Sequence, residues 1–214
     1  MNVIQSIIFL IASMVAISGF YIQGIEFIIA NIRGQSIQSI LIASLSFIMG
    51  FLERSLDLII LGIMVVILRV ILINYFLERT IPKKRKFSVE KYLSVPYLLI
   101  VDLIFIVLSV ILIYKFVFSS MILRESIVPS NILVFPLITF FQGMFLIASR
   151  KSTHTQIIGY VEEENAMILF GIFLLPIPLI IEASIFLDVL ALVVISSIIV
   201  LEKNEHNPVE DLIG

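Results

Sequence analysis

Long apolar runs, separated by charged residues, proline or glycine, follow one another along almost the whole chain. An α-helix needs roughly 20 apolar residues to cross the hydrocarbon core of a bilayer, and most of these runs reach that length. Because backbone amides in hydrocarbon must be satisfied within their own segment, such runs predict transmembrane helices. The seven predicted spans are residues 3–31, 36–52, 57–78, 96–118, 131–149, 155–175 and 178–201.

The sixth and the first predicted spans are less clear from the apolar pattern than the others. The sixth is weak by hydropathy because Glu162, Glu163 and Glu164 interrupt it. Its support is the distance from Arg150 to the end of the last apolar run, which is too long for one span and fits a hairpin that turns near Pro176. The first span is interpreted as a retained helix, because it has no basic residues before it and is longer than the apolar part of a signal peptide.

The basic residues predict the orientation, because cytoplasmic loops accumulate lysine and arginine. They fall into two groups of about ten and two when the predicted loops are assigned to alternate sides of the membrane. The larger group consists of Arg33, Arg79, Lys83, Lys84, Arg85, Lys86, Lys91, Arg150, Lys151 and Lys203, and the smaller group of Arg54 and Arg124. We therefore expect the N-terminus outside and the C-terminus in the cytoplasm. The basic run 83–86 is interpreted as a topology signal that also attracts anionic lipid, in preference to a partner-docking patch.

The composition excludes several classes of function. The chain has 214 residues, of which 60% are hydrophobic, 14% are charged and none is cysteine, and its mean hydropathy is +1.17. It cannot build disulfides, thiolate metal sites or iron–sulfur ligation, and its two histidines, His154 and His206, do not suffice for a polyhistidine site. A net charge of -2 without a long basic stretch gives no support to nucleic-acid binding. We predict an all-α integral membrane protein with no metal or cofactor of its own.

Ionisable residues inside the predicted spans are the candidate functional groups, because charges in a bilayer are costly. Counting along each helix places Arg69 in the middle of the third span, Glu164 in the middle of the sixth and Asp188 at the same depth on the seventh. We expect a buried cation and two buried acids at one level, and we favour an ion-relay role over simple interhelical hydrogen bonding.

The other acidic residues of the predicted spans do not favour one role over another. Asp102 and Glu26 fall in the cytoplasmic third of their spans, where they would suit an access path. Residues on one helical stripe of the sixth span are Gln156, Tyr160, Glu163, Glu164, Met167 and Gly171, and Glu162 points away from it. A relay role and a structural role are equally open for Glu26, Asp102, Glu162, Glu163 and Glu182. Close helix contacts are predicted at Gly19, Gly24, Gly159 and Gly171.

The stretch 150–166, RKSTHTQIIGYVEEENA, resembles the hydrogenase-4 component E family, whose members carry QI-(F/I)-GY-x-x-x-EN after a basic loop. The matching residues are Gln156, Ile157, Gly159, Tyr160, Glu164 and Asn165. Residues 181–195 resemble the last helix of the family, in which a glutamate is followed six positions later by an aspartate, as Glu182 and Asp188 are here. The N-terminal half is less similar. The family usually has lysine at Arg69, and often a proline shortly after it that this chain lacks.

The last three helices of the family are similar in turn to the K-type subunit of complex I and the C-type subunit of multisubunit cation/proton antiporters. Those subunits carry glutamates within the membrane. The resemblance puts Glu164 one helical turn from the first of these positions and Asp188 at the depth of the second, where Glu182 competes with it. It implies an N-terminal four-helix part over 1–120, a three-helix K-like unit over 127–203 and a short cytoplasmic tail over 204–214.

The resemblance implies a non-catalytic, multi-pass subunit of a group 4 membrane-bound [NiFe] hydrogenase or a complex I-like assembly in the cytoplasmic membrane. Its partners would be antiporter-like and quinone-site (H-type) membrane subunits and a soluble arm that carries the nickel–iron site and the iron–sulfur clusters. Glu164 and Asp188, tuned by Arg69, would pass protons or sodium ions.

Three alternatives stay open. One is an antiporter subunit or a stand-alone secondary carrier, although no internal repeat and no pair of glycine- or proline-broken helices points to a carrier site. The others are an intramembrane enzyme and a structural assembly factor.

Overall fold

The computed structural model describes residues 3–81, 94–117, 130–174, 186–190, 193–194 and 197. These residues are helical apart from short turns. The first two helices are α1 (Val3–Gly24) and α2 (Ile28–Glu53). A third, continuous helical run consists of α3 (Leu56–Val65), the π-helix π1 (Val66–Ile73) and α4 (Asn74–Thr80).

The second half of the described chain contains three more helical segments. They are α5 (Val95–Leu112), continued by the π-helix π2 (Ile113–Val117), then α6 (Val134–Ser149), preceded by a 3-10 turn (Ser130–Leu133), and α7 (Thr153–Leu174). The described positions of the last predicted span, 186–190, 193–194 and 197, are also helical. No β-strand occurs among the described residues.

Five helical runs are long and apolar enough to cross a membrane. They are Val3–Gly24, Ile28–Glu53, Leu56–Arg79, Val95–Lys115 and Asn131–Ser149. Their outward faces carry exposed isoleucine, leucine and valine side chains, such as Leu10, Ile63 and Ile104, which is where apolar side chains belong when the solvent is lipid. The chain is thus an all-α membrane protein over the described residues, whereas the count of seven spans and the orientation stay predictions.

The first turn lies earlier than the apolar pattern predicted. α1 ends at Gly24, residues 25–27 form the turn, and α2 begins at Ile28. The predicted first span 3–31 and the predicted loop at Arg33 were therefore wrong, because Arg33 is an exposed residue of α2. The polar side chains of Asn31 and Gln35, on either side of Arg33 in the sequence, are buried in the bundle.

Two apolar clusters fill the two ends of the bundle. One contains Ile8, Ala12, Val15, Ile42, Ala43, Leu45, Met49, Leu58, Leu61, Val65, Ile132, Ile168, Leu169 and Ile172. The other contains Ile22, Ile28, Ile32, Ile73, Leu77, Ile81, Leu146, Ile157, Ile158 and Val161. Each long helical run other than α5 has residues in both clusters. The part of each run between these two sets of residues lies in a middle layer of the bundle.

The helices α6 and α7 form the closest pair in the bundle. A Cβ at Gly143 would lie 2.7 Å from the backbone nitrogen of Glu163, and a Cβ at Gly159 would lie 2.9 Å from the carbonyl oxygen of Gly143. Only glycine permits this backbone approach, as predicted for Gly159. At Gly24 the prediction was wrong, because the nearest side-chain atom to a Cβ there is an ordinary 3.5 Å away.

α7 also packs against α2, and α1 packs against α2 and α6. α5 lies on the periphery, against α1 and α6. The helix with three consecutive glutamates is therefore surrounded by neighbours on most of its circumference, which explains how so polar a segment can be placed inside an apolar bundle.

Candidate functional site

Buried polar side chains fill the middle layer between the two apolar clusters. The residues with at most 2% exposure there are Gln38, Ser39, Arg69, Gln142, Glu162, Glu164, Asn165 and Asp188. The 1.5 Å rise per residue places Arg69 about 15 Å from Arg79, the end of its span, which is half of a hydrocarbon core roughly 30 Å thick. This polar layer therefore lies near the midplane of a bilayer.

Arg69 is the centre of the layer. Its Nε donates to Asp188 Oδ1 at 2.9 Å, its Nη1 donates to Asn165 Oδ1 at 2.7 Å, and its Nη2 forms an ion pair with Glu164 Oε2 at 3.2 Å. One planar guanidinium thus holds groups from α7 and the last helix in fixed directions, as its rigid fork of donors allows. We call Arg69, Glu164, Asn165 and Asp188 the Arg69 cluster.

The backbone that carries Arg69 is a π-helix, Val66–Ile73, within an otherwise α-helical span. A π-helix has wider turns than an α-helix and is found frequently at functional sites. This departure from α-helical geometry is centred on Arg69, the one cation of the cluster.

The Arg69 cluster contains more acid than base. Glu164 lies beside both Asp188 and the ring of Tyr160, so two carboxyl groups share one guanidinium in a site closed to solvent. With both carboxyls ionised the cluster carries one net negative charge, and with one of them protonated it is neutral.

Hydrogen bonds continue from the cluster to Glu162 on the other side of α7. Asn165 Nδ2 donates to Gln38 Oε1 at 2.9 Å and to Ser39 Oγ at 3.2 Å. Gln38 Nε2 donates in turn to Glu162 Oε1 at 3.2 Å. An unbroken chain of polar contacts therefore runs from Asp188 to Glu162 across the bundle.

A second group of buried polar residues follows beyond Glu162. Gln142 Nε2 donates to Asp102 Oδ2 at 3.1 Å, and both residues are fully buried. A Cβ at Gly19 would collide with Glu162 Oε1 and with Gln142 Oε1, so these two oxygens approach the same point beside α1. We call Glu162, Gln142 and Asp102 the Gln142 site.

The structure brings together three of the predicted relay residues, Arg69, Glu164 and Asp188, and one motif residue, Asn165. Asp102 is buried as well, but it belongs to the Gln142 site and not to the Arg69 cluster.

The remaining predicted residues lie elsewhere. Glu26 is half-buried in the turn between α1 and α2, and Glu163 is half-buried with its Cγ against Gly143. Gln156 donates to the carbonyl oxygen of Arg150 at 2.8 Å. Glu182 lies outside the described residues.

Sequence reasoning did not assign a role to Glu162, because it points away from the stripe that includes Glu164. The structure buries both residues, since α7 has neighbours on opposite sides, whereas Met167 on the predicted stripe is 46% exposed. The signal that was missed is the polar pattern of α2, where Gln35, Gln38 and Ser39 recur at helical spacing and therefore share a face.

Arg150 also has a role that the topology argument did not predict. Its Nη2 donates to the carbonyl oxygens of Gln23 and Ile25, at 2.7 and 3.1 Å. These oxygens lie in the last turn of α1 and just after it, where helices leave carbonyl groups unpaired. The α6–α7 turn is thereby fixed to the α1–α2 turn.

A mostly apolar cavity of about 250 Å³ lies beside α7. Its lining residues are Ile147, Thr153, Gln156, Ile157, Tyr160, Leu190 and Val194. It extends from the first residue of α7 to Tyr160, which adjoins Glu164. In the described part of the chain, no three histidine, aspartate or glutamate side chains are close enough to bind a metal ion.

Comparisons with protein families, with curated proteins and with solved structures find no match.

Proposed function

We propose that this chain is a non-catalytic membrane-arm subunit of a membrane-bound [NiFe] hydrogenase or a complex I-like respiratory complex, and that it couples redox chemistry to proton or sodium translocation. The observation that carries the proposal is the Arg69 cluster, in which two carboxyls from different helices share one guanidinium at the middle of the membrane. The resemblance of 150–195 to the hydrogenase-4 component E family supplies the class of complex. The nickel–iron site and the iron–sulfur clusters would belong to partner subunits.

The charge balance of the cluster suits a group that takes up and releases protons. Addition of one proton to Glu164 or Asp188 changes the net charge from one negative to zero, while the other carboxyl keeps its ion pair with Arg69. A net charge is costly in a medium of low dielectric constant, and a buried guanidinium without an anion is costlier still. Neither uptake nor release of this proton leaves Arg69 without an ionised carboxyl group.

Such a cluster responds to charges elsewhere in a complex. A unit charge that moves to about 10 Å from it changes its energy by about 1.7 kcal/mol at an effective dielectric constant of about 20. About 1.4 kcal/mol corresponds to a tenfold change in a protonation equilibrium. A redox event or an ion movement in a neighbouring subunit can therefore cause the cluster to take up or release a proton.

Two features offer routes to the cluster. The cavity beside α7 extends from Thr153, at the start of α7, to Tyr160, which adjoins Glu164. The contacts through Asn165 and Gln38 lead sideways through the bundle to Glu162. The second route lies in the plane of the membrane, which is the direction required for transfer between adjacent membrane subunits.

The first experiment is affinity purification of the full-length chain in mild detergent, with mass spectrometry of its partners and assays for nickel and iron. We expect hydrogenase-like and antiporter-like subunits together with nickel. Recovery with antiporter-like subunits and no redox subunit would instead support the alternative of a cation/proton antiporter subunit, and isolation of the chain alone with ion-flux activity would support a stand-alone carrier.

The second experiment tests the relay in the purified complex reconstituted into vesicles. Glu164→Gln and Asp188→Asn keep the size of each side chain and remove its ability to exchange a proton, so we expect normal assembly and strongly reduced proton pumping. Glu163→Gln, a change of the half-buried neighbouring glutamate, is the matched control and should pump normally. If both cluster variants assemble and pump as wild type does, the relay assignment is wrong.

A further inference from the structure

The Gln142 site contains an arrangement of hydrogen-bonding groups that is incomplete without a proton. Glu162, Gln142 and Asp102 come from α7, α6 and α5 and are all fully buried. Gln142 uses its amide nitrogen for Asp102, so its amide oxygen faces Glu162 in the space beside Gly19. That amide oxygen, Glu162 Oε2 and Asp102 Oδ1 have no hydrogen-bond partner among the described residues.

Two oxygen acceptors that face each other cannot bond unless one of them carries a hydrogen. An ionised carboxylate has no hydrogen to donate, whereas a protonated carboxyl has one O–H donor. If Glu162 is protonated, it can donate to Gln142 Oε1, and the unsatisfied amide oxygen gains a partner. Buried polar atoms without partners are costly, which favours this arrangement.

The amide group makes the arrangement reversible. An amide has a donor end and an acceptor end, and a rotation by 180° exchanges them. In the rotated form Gln142 donates to an ionised Glu162, and its oxygen accepts from a protonated Asp102. Both forms satisfy the amide, and both hold one proton for the two carboxyls.

We propose that Glu162 and Asp102 share a single proton across Gln142, and that the orientation of the Gln142 amide determines which carboxyl holds it. The titratable groups that act electrostatically on Glu162 are Asp102 from α5 and Glu163 on its own helix, and both are acidic. No cation of the described residues therefore competes with the proton for this site, in contrast to the Arg69 cluster.

Gly19 is part of the same site. Its missing side chain leaves the space in which the Glu162 and Gln142 oxygens meet, since a Cβ would overlap both. This inference goes beyond the proposed function and does not depend on it, because a bundle with no transport activity would hold the same proton. Gln38 connects this proton to the Arg69 cluster.

The test counts protonated carboxyl groups by their C=O stretching band in the infrared spectrum, with the full-length chain in lipid vesicles at about pH 8, where exposed acids are ionised. Spectra are normalised to the amide band and compared among wild type, Glu162→Gln, Asp102→Asn and the double variant. We expect the double variant to lose the absorbance of one carboxyl group. Neither single variant should lose more than that.

A loss of two carboxyl groups in the double variant would show that each acid holds its own proton, and no loss would show that both are ionised; either result would overturn the proposal. Glu163→Gln is the control and should leave the band unchanged. Glu164→Gln measures any contribution of the Arg69 cluster separately. The replacements are amides of the same size, so each can form the hydrogen bonds of the native fold.

Discussion

Replacement of Arg69 by methionine tests the reasoning behind the Arg69 cluster most directly. Methionine is similar in length and apolar, so the change fills the same volume but removes the only guanidinium of the cluster. Glu164 and Asp188 then face each other at the middle of the bundle without a cation, and Asn165 loses its donor.

The magnitude follows from the number of bonds that are lost. Removal of one partner of a buried ion pair costs about 3–5 kcal/mol. Arg69 serves two carboxylates and one amide at 2.7–3.2 Å, so we expect a loss near the upper end, about 5 kcal/mol. Because about 1.4 kcal/mol is a factor of ten, the unfolding equilibrium constant should rise by between about 10³- and 10⁴-fold.

The assay is unfolding of the purified full-length chain in mixed micelles with increasing SDS, followed by helix content from circular dichroism. The triple variant Arg69→Met, Glu164→Gln, Asp188→Asn supplies the control, because it removes the stranded acids together with the cation. Replacement of all members of a buried ion pair is often nearly neutral, so the triple variant should recover most of the stability. Two results would refute the assignment of Arg69 as the counter-ion. One is an unfolding free energy of Arg69→Met within about 1 kcal/mol of wild type, and the other is a triple variant no more stable than Arg69→Met.

Two further predictions concern packing and helix ends. Gly143→Ala should lower the unfolding free energy by about 1–3 kcal/mol, because the added Cβ would lie 2.7 Å from the backbone nitrogen of Glu163. Gly24→Ala is the control and should cause no such loss, because the nearest atom to its Cβ is 3.5 Å away. Arg150→Gln should lower the unfolding free energy by about 1.5–3 kcal/mol, because it removes the charged donor from two carbonyl oxygens at the end of α1. Arg33→Gln changes an exposed residue of α2 and should be neutral. Equal effects of the two arginine changes would contradict this role of Arg150.

The apolar pattern predicted most of the helices correctly, because length and hydropathy decide whether a segment can cross a bilayer. It misplaced the first turn, because Asn31 and Arg33 have the composition of a loop. Polar residues in a membrane helix are tolerated when they face other helices, as Asn31 does. Hydropathy alone has no information about which side of a helix is covered.

The candidate site could be predicted in part for the same reason. Counting along the helices gives depth, and depth brought Arg69, Glu164 and Asp188 to one level. It does not give the neighbours of each side chain, so Gln38 and Gln142 passed as ordinary polar residues of apolar helices. Their roles depend on helix pairing, which one sequence without contacts does not specify.

The three consecutive glutamates of α7 explain why the two polar sites form together. Successive residues of an α-helix are about 100° apart, so Glu162 and Glu164 point about 200° apart and face nearly opposite sides of α7. Glu164 therefore reaches Arg69, and Glu162 reaches Gln38 and the space beside Gly19. Any rotation of α7 about its axis changes both sets of contacts at once, and the close packing of α7 on α6 at Gly143 opposes such a rotation. The two polar sites are therefore held in a fixed relation by one helix, and Gln38 connects them by hydrogen bonds.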